Sequence, residues 1–130
     1  MSSTHSTVDD DPSVIAVVDD DPRILQSLQN LLESIGYTVR VFDSATALLE
    51  TAGLEEIDCV ISDVNMPVVD GLELSRRLHE TIAGLPIVLI TGHPEMLNRS
   101  LVETSHYRLF TKPYDPEALV VTIGDMLRHR

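Results

Sequence analysis

"VIAVVDDDP", Val14 to Pro22, is an apolar run that ends on three consecutive aspartates and a proline. A strand with one face in water alternates apolar and polar side chains, so a run that is apolar throughout predicts a strand covered on both faces. The runs "DCVIS" and "IVLI" repeat that pattern further along the chain. Together they predict a parallel sheet with helices on either side. Three carboxylates where such a strand stops repel one another and gain nothing from the core, so their grouping needs either a local structural reason or a chemical one.

Outward from this stretch, short β-branched runs alternate with helical periods. The strand candidates are β1 Val14–Val18, β2 Tyr37–Phe42, β3 Ile57–Ser62, β4 Pro86–Thr91 and β5 Tyr107–Thr111. Between β1 and β2, Ile24, Leu25, Leu28, Leu31, Leu32 and Ile35 recur at the three-and-four spacing of one helical face, with Pro22 in the first turn and Gly36 past the end. This is α1. The remaining periods predict α2 over Ser44–Ala52, α3 over Leu72–Thr81, α4 over Pro94–Thr104 and α5 from the cap-like pair Asp115-Pro116 to Arg128. Five β–α units with right-handed crossovers give an α/β fold, a (β/α)5 doubly wound parallel five-stranded sheet.

At 130 residues, 43% apolar and 23% charged, the chain fits one soluble domain. Residues 1–12 are nearly all polar and are expected to form a disordered tail, leaving 13–130 as the domain. No apolar run approaches the ~18 residues of a membrane span. The start has neither the basic nor the apolar region of a secretory signal, so a cytoplasmic location is expected. A net charge of −12 opposes direct nucleic-acid binding and favours a cationic or metal partner. The one cysteine, Cys59, excludes an internal disulfide, and His5, His79, His93, His106 and His129 show no ligand spacing.

In a doubly wound sheet, ligands bind beyond the carboxyl ends of the strands. The residues there are Asp19, Asp20 and Asp21 after β1, Asp63 after β3, Thr91 after β4 and Lys112, the sole lysine, after β5. Asp21 directly before Pro22 reads as the cap of α1. The other carboxylates, gathered in a partly desolvated cleft, raise one another's pKa unless a cation is present, and Mg²⁺ takes oxygen ligands of this kind. Asp70-Gly71 reads as turn chemistry, with glycine supplying a backbone angle closed to other residues.

"VVDDDP", "ISDVNMPVVDG", "LITGH" and "FTKP" follow one another in register, and the chain from Val14 to Arg128 closely resembles the receiver domain of bacterial two-component response regulators, a flavodoxin-like fold. The resemblance implies that Asp63 is the phosphoacceptor, taking a phosphoryl group from a phosphohistidine. It implies Mg²⁺ held by Asp20, Asp63 and the backbone carbonyl of Asn65, with Asp19 acting through water. Thr91 and Lys112 would contact the phosphoryl group, Thr91 as the switch hydroxyl, and Asn65 and His93 would tune its loss. It also implies a cis bond between Lys112 and Pro113. The implied partners are a histidine kinase or histidine phosphotransfer protein and an output partner bound through the α4–β5–α5 face, which a homodimer would also use. Such a domain assists its own phosphorylation and dephosphorylation and is not an enzyme with a separate substrate.

The chain departs from the family pattern at Leu109, where receivers carry an aromatic switch residue, and Thr91 to Lys112 is one residue shorter than in many of them. Strand alternation puts Tyr107 on the face of Leu109, so Leu109 and Tyr107 are the switch candidates. Two alternatives stand beside this reading. A degenerate receiver would act as a phosphorylation-independent interaction module. A Mg²⁺-dependent aspartyl-phosphate phosphatase of the haloacid dehalogenase type needs an Asp-x-Asp-x-Thr/Val signature, whereas the frame from Asp19 ends in Arg23.

Overall fold

The predicted strands join in one parallel sheet of order β2-β1-β3-β4-β5 in a computed structural model that describes residues 12–94 and 107–129. The strands span Val14–Val18, Thr38–Phe42, Cys59–Asp63, Ile87–Thr91 and Arg108–Thr111. Burial follows position in the sheet. The interior strands β3 and β4 are buried at each residue, and β1 is buried from its second residue on. The edge strands β2 and β5 keep exposed positions. Two apolar clusters, one on each face, sandwich the sheet: Ala16, Val18, Val60 and Leu89 point to one, and Ile15, Val17, Ile61 and Val88 to the other.

The helices arise where the caps and periods place them. α1 runs Pro22–Ile35, buries Leu25, Leu28 and Leu32, and ends at Gly36 with a φ of 114°, a left-handed angle that glycine adopts without penalty. Asp21 caps it, its side chain accepting from the Arg23 amide, as expected of a residue before Pro22. α3 spans Gly71–Thr81 and α5 spans Pro116–Arg128, capped by Asp70 and Asp115.

The strands β2 to β5 start one or two residues later than expected and α3 starts at Gly71 instead of Leu72, and three further expectations change. α2 stops at Leu49, spanning only Ala45–Leu49, and a 3-10 turn follows at Leu54–Glu56. Arg40 accounts for the early stop, since its guanidinium donates to the Thr51 hydroxyl at 2.7 Å and to the Ala52 carbonyl at 3.2 Å, tying the segment to β2. Asp63 is the last residue of β3 instead of the first beyond it. Gly71 is required for a reason other than backbone angle: a Cβ there would lie 2.6 Å from the Asp63 carbonyl oxygen and 2.9 Å from the Val64 Cα. The expected α4 from residue 95 on and the tail over residues 1–11 lie outside the described residues.

The loop between β3 and α3 holds one strained position. Val68 has a φ of 69° between the Pro67 carbonyl and the Val69 amide, which hydrogen-bond at 2.8 Å across it. A positive φ is costly for a β-branched residue, and the Val68 side chain is 96% exposed, so packing returns none of that cost.

Two substitutions separate these effects in urea unfolding. Val68→Gly is expected to stabilise by about 1 kcal/mol, because the left-handed penalty of an L-residue is about 1–2 kcal/mol and the more flexible unfolded chain offsets part of it. Gly71→Ala should destabilise by about 1–3 kcal/mol through the steric conflict with Asp63. Helix propensity alone would make Gly71→Ala stabilising, so a gain in stability would refute the close-approach account.

Candidate functional site

The carboxyl ends of β1, β3, β4 and β5 meet at one edge of the sheet because the strands pair in parallel with little stagger: Val18 opposes Ser62, Asp63 opposes Ile90 and Thr91 opposes Thr111. Residues far apart in sequence therefore project into one cleft. Asp19, Asp20 and Asp63 each place a carboxylate oxygen within 4.8 Å of the other two. Asp19 is 4% and Asp63 9% exposed, while Asp20 stands in solvent.

Backbone amides orient the two buried acids. Asp19 Oδ1 accepts from the Asp21 amide at 2.9 Å, and Asp63 Oδ1 accepts from the Asn65 amide at 3.0 Å. Burial pushes the Asp19 carboxyl above its ordinary pKa, and the charges of Asp63 and Asp20 add to that, against partial relief from the Asp21 amide and Lys112. Asp21 takes no part in this cluster. Its carboxylate caps α1 and pairs with Arg23, whose hydrogen bonds hold it below the ordinary range. The three consecutive aspartates thus divide into two site acids and one helix cap.

Lys112 approaches from the end of β5, with its Nζ 3.5 Å from Asp63 Oδ2. Its backbone amide donates to the Thr91 carbonyl at 2.8 Å, which extends the β4–β5 pairing one residue beyond the strand. The Lys112-Pro113 bond is cis, as the resemblance to receiver domains implied. Thr91 is fully buried, and its hydroxyl donates to Asn65 Oδ1 at 3.1 Å while accepting from the His93 amide at 2.9 Å. All five residues singled out at the strand ends, Asp19, Asp20, Asp63, Thr91 and Lys112, therefore gather here with Asn65 and the His93 backbone.

Leu109 and Tyr107 do share a face, as alternation required: both pack, half-buried, on the cluster that contains Leu89. Phe110 lies on the opposite face, edge-on to Tyr114 with ring centroids 6.2 Å apart. Sequence reasoning missed Tyr114. It lines an open cleft of about 530 Å³ together with Asp19, Ile24, Ile90, Gly92, Lys112 and Pro113. Burial and then the Asp19 charge raise its phenol pKa. The available signal was its place two residues after Lys112, on the same loop.

Among the described residues, the side-chain donors that converge here are carboxylate oxygens, with one ammonium at the margin. Soft metals have no ligand here, whereas a hard divalent cation such as Mg²⁺ finds compact, anionic oxygen donors beside open solvent that can supply water ligands. Among the described residues, no helix is long and apolar enough to cross a membrane.

Comparison with known proteins agrees with this arrangement. Residues 15–124 match the family model described as the response regulator receiver domain. The response regulator protein TmoT of Ectopseudomonas mendocina is 38% identical over 122 residues, which cover 93% of this chain and 56% of that protein. The chain thus spans about half the length of this relative. Among solved structures, a response regulator receiver domain protein from Clostridium thermocellum superposes with a TM-score of 0.82 at 28% identity, over 90% of this chain and 95% of that one. The BeF3-activated DrrB receiver domain gives a TM-score of 0.73 at 27% identity, over 90% and 98%. With its sheet order, its acidic cluster and these matches, the chain belongs to the response regulator receiver domain family, a signalling module and not a catalytic one.

Proposed function

We propose that residues 13–130 form a phosphorelay receiver domain that takes a phosphoryl group onto Asp63 from a phosphohistidine of a histidine kinase or phosphotransfer protein. The observation that carries this is the convergence of the Asp19, Asp20 and Asp63 carboxylates within 4.8 Å, with the Lys112 ammonium 3.5 Å from Asp63. In the transfer, an Asp63 carboxylate oxygen bonds to phosphorus as the phosphorus–nitrogen bond breaks, and the leaving imidazole nitrogen keeps the electron pair and takes up a proton.

Such a transfer depends on positioning and charge neutralisation more than on covalent help. Asp20, Asp63 and the Asn65 carbonyl would hold Mg²⁺, with Asp19 acting through water. When bound, that ion would supply positive charge to the transferred phosphoryl group. Lys112 provides a compact ammonium to the same group, a role in which a forked guanidinium is a poor substitute. Thr91 contacts the phosphoryl group as the switch hydroxyl, and Asn65 and His93 tune how long the group persists. Output then runs through the α4–β5–α5 face, with Leu109 or Tyr107 as the moving side chain. Of that face, α4 lies outside the described residues.

Three measurements test this reading. Intact-protein mass after incubation with acetyl phosphate and Mg²⁺ should show one added phosphoryl group in the wild type and none in Asp63→Asn or without metal. Absence of the adduct under all conditions would instead leave an interaction module. Mg²⁺ at ten times its Kd should stabilise the protein by about 1.4 kcal/mol in thermal unfolding, and Asp20→Asn should abolish most of that gain.

The third measurement uses pH. Ionising Asp19 opposes folding, since its folded pKa is raised, and that penalty is present above the raised value and fades as pH falls through it. Asp19→Asn should therefore raise the melting temperature of the metal-free protein at pH 7, with the gain shrinking towards pH 4. A gain that does not change with pH would overturn the electrostatic account.

A further inference from the structure

The Thr91 hydroxyl has one proton to donate, and in the resting arrangement that proton goes to Asn65 Oδ1 at 3.1 Å. Its oxygen meanwhile accepts from the His93 amide at 2.9 Å. A hydroxyl that donates to Asn65 cannot donate the same proton to a phosphoryl oxygen on Asp63, so the two bonds are alternatives. The Asn65 backbone is itself fixed to the acceptor residue, because its main-chain N–H donates to Asp63 Oδ1 at 3.0 Å. The competing acceptor is therefore held beside the reacting carboxylate by the same turn that orients it.

From this juxtaposition we propose that the Asn65 carboxamide is a latch: a positioning residue that holds the Thr91 hydroxyl in the resting state and opposes its capture by the phosphoryl group. The inference rests on the receiver reading of Asp63 and Thr91. It assigns the Asn65 side chain a role separate from that of its backbone carbonyl, and it gives the side chain a direction of effect. Removing the carboxamide should favour the phosphorylated conformation. Thr91 is fully buried in the resting arrangement, and a water that took the place of the exposed Asn65 carboxamide would have to be immobilised to accept the same proton, so the lost bond is not replaced for free.

The test is beryllofluoride binding at saturating Mg²⁺, read by calorimetry, in a double-mutant cycle. Asn65→Ala should tighten binding by about two- to tenfold, the equivalent of one net neutral hydrogen bond. In a Thr91→Val background, which keeps the shape and removes the hydroxyl, Asn65→Ala should give no such gain. In Thr91→Ser, which keeps the hydroxyl, the gain should return. An effect exerted through the metal or the backbone would appear equally in all three backgrounds, and equal gains overturn the latch, as does a loss of affinity or no change with Thr91 present.

A second readout needs no substitution at Thr91. The His93 amide donates to the Thr91 oxygen, so its nuclear magnetic resonance shift should move on beryllofluoride binding. In resting Asn65→Ala it should already lie part-way to the bound value, and a shift that stays at the wild-type resting position refutes the proposal. Failure of the receiver reading would look different. Wild-type protein that binds no beryllofluoride with Mg²⁺ present would overturn the function of Asp63, and the latch with it.

Discussion

Three carboxylate oxygens within 4.8 Å of one another set the terms for the rest of the molecule. Two of the residues that carry them are buried, and a like charge is harder to hold where water cannot screen it. Lys112 at 3.5 Å from Asp63 offsets part of the repulsion, and the Asp21 and Asn65 amides offset more by bonding the ionised oxygens. The scaffold has to supply the remainder. It does so by hanging the acids on β1 and β3, whose apolar side chains are almost wholly buried in the two clusters. The burial that stabilises the central strands also raises the cost of the charges at their ends, and a bound cation would relieve that cost.

The same economy governs the approach of α3. Gly71 lets the first turn of that helix lie against the Asp63 carbonyl, so the backbone that bears the central acid is gripped from one side by its own chain two turns of loop later. Between the two, the loop passes through Val68 in a left-handed angle. Strain of this kind persists only where surrounding structure over-determines it. Here the fixed ends are visible: Val64 pairs with the Ile90 carbonyl on one side, and Val64 also accepts from the Gly71 amide on the other.

β5 and the residue before it divide their side chains in an uneven way. Tyr107 and Leu109 pack with the cluster around Leu89, whereas Phe110 goes to the opposite face and meets Tyr114 edge-on. The residue at the usual aromatic position of the family is thus aliphatic, and the ring-to-ring contact belongs to the face shared with α1 and α5. Tyr114 in turn borders the cleft that contains Asp19 and Lys112. The loop after β5 thus brings the Tyr114 ring to the cleft that Asp19 borders, on the side away from Leu109.

What could be read from the sequence, and what could not, follows from how each contact is made. The strands were legible because two-sided burial demands unbroken apolar runs, and the site acids because a parallel sheet brings strand ends together whatever the exact register. The cap role of Asp21 was legible because capping is local. α2 was overextended because the Arg40 tie that ends it comes from a neighbouring strand, 11 residues from Thr51. The need for Gly71 was ascribed to a turn angle because a turn is a local property, whereas the steric approach to Asp63 exists only after the chain has returned to β3. The bond between Asn65 and Thr91 crosses 26 residues and depends on the β3–β4 register to within one position. A one-residue slip would turn Thr91 to the other face of the sheet and leave both the hydroxyl and the carboxamide without each other. That contact is a property of the register, and no reading of residue types at either end alone could have supplied it.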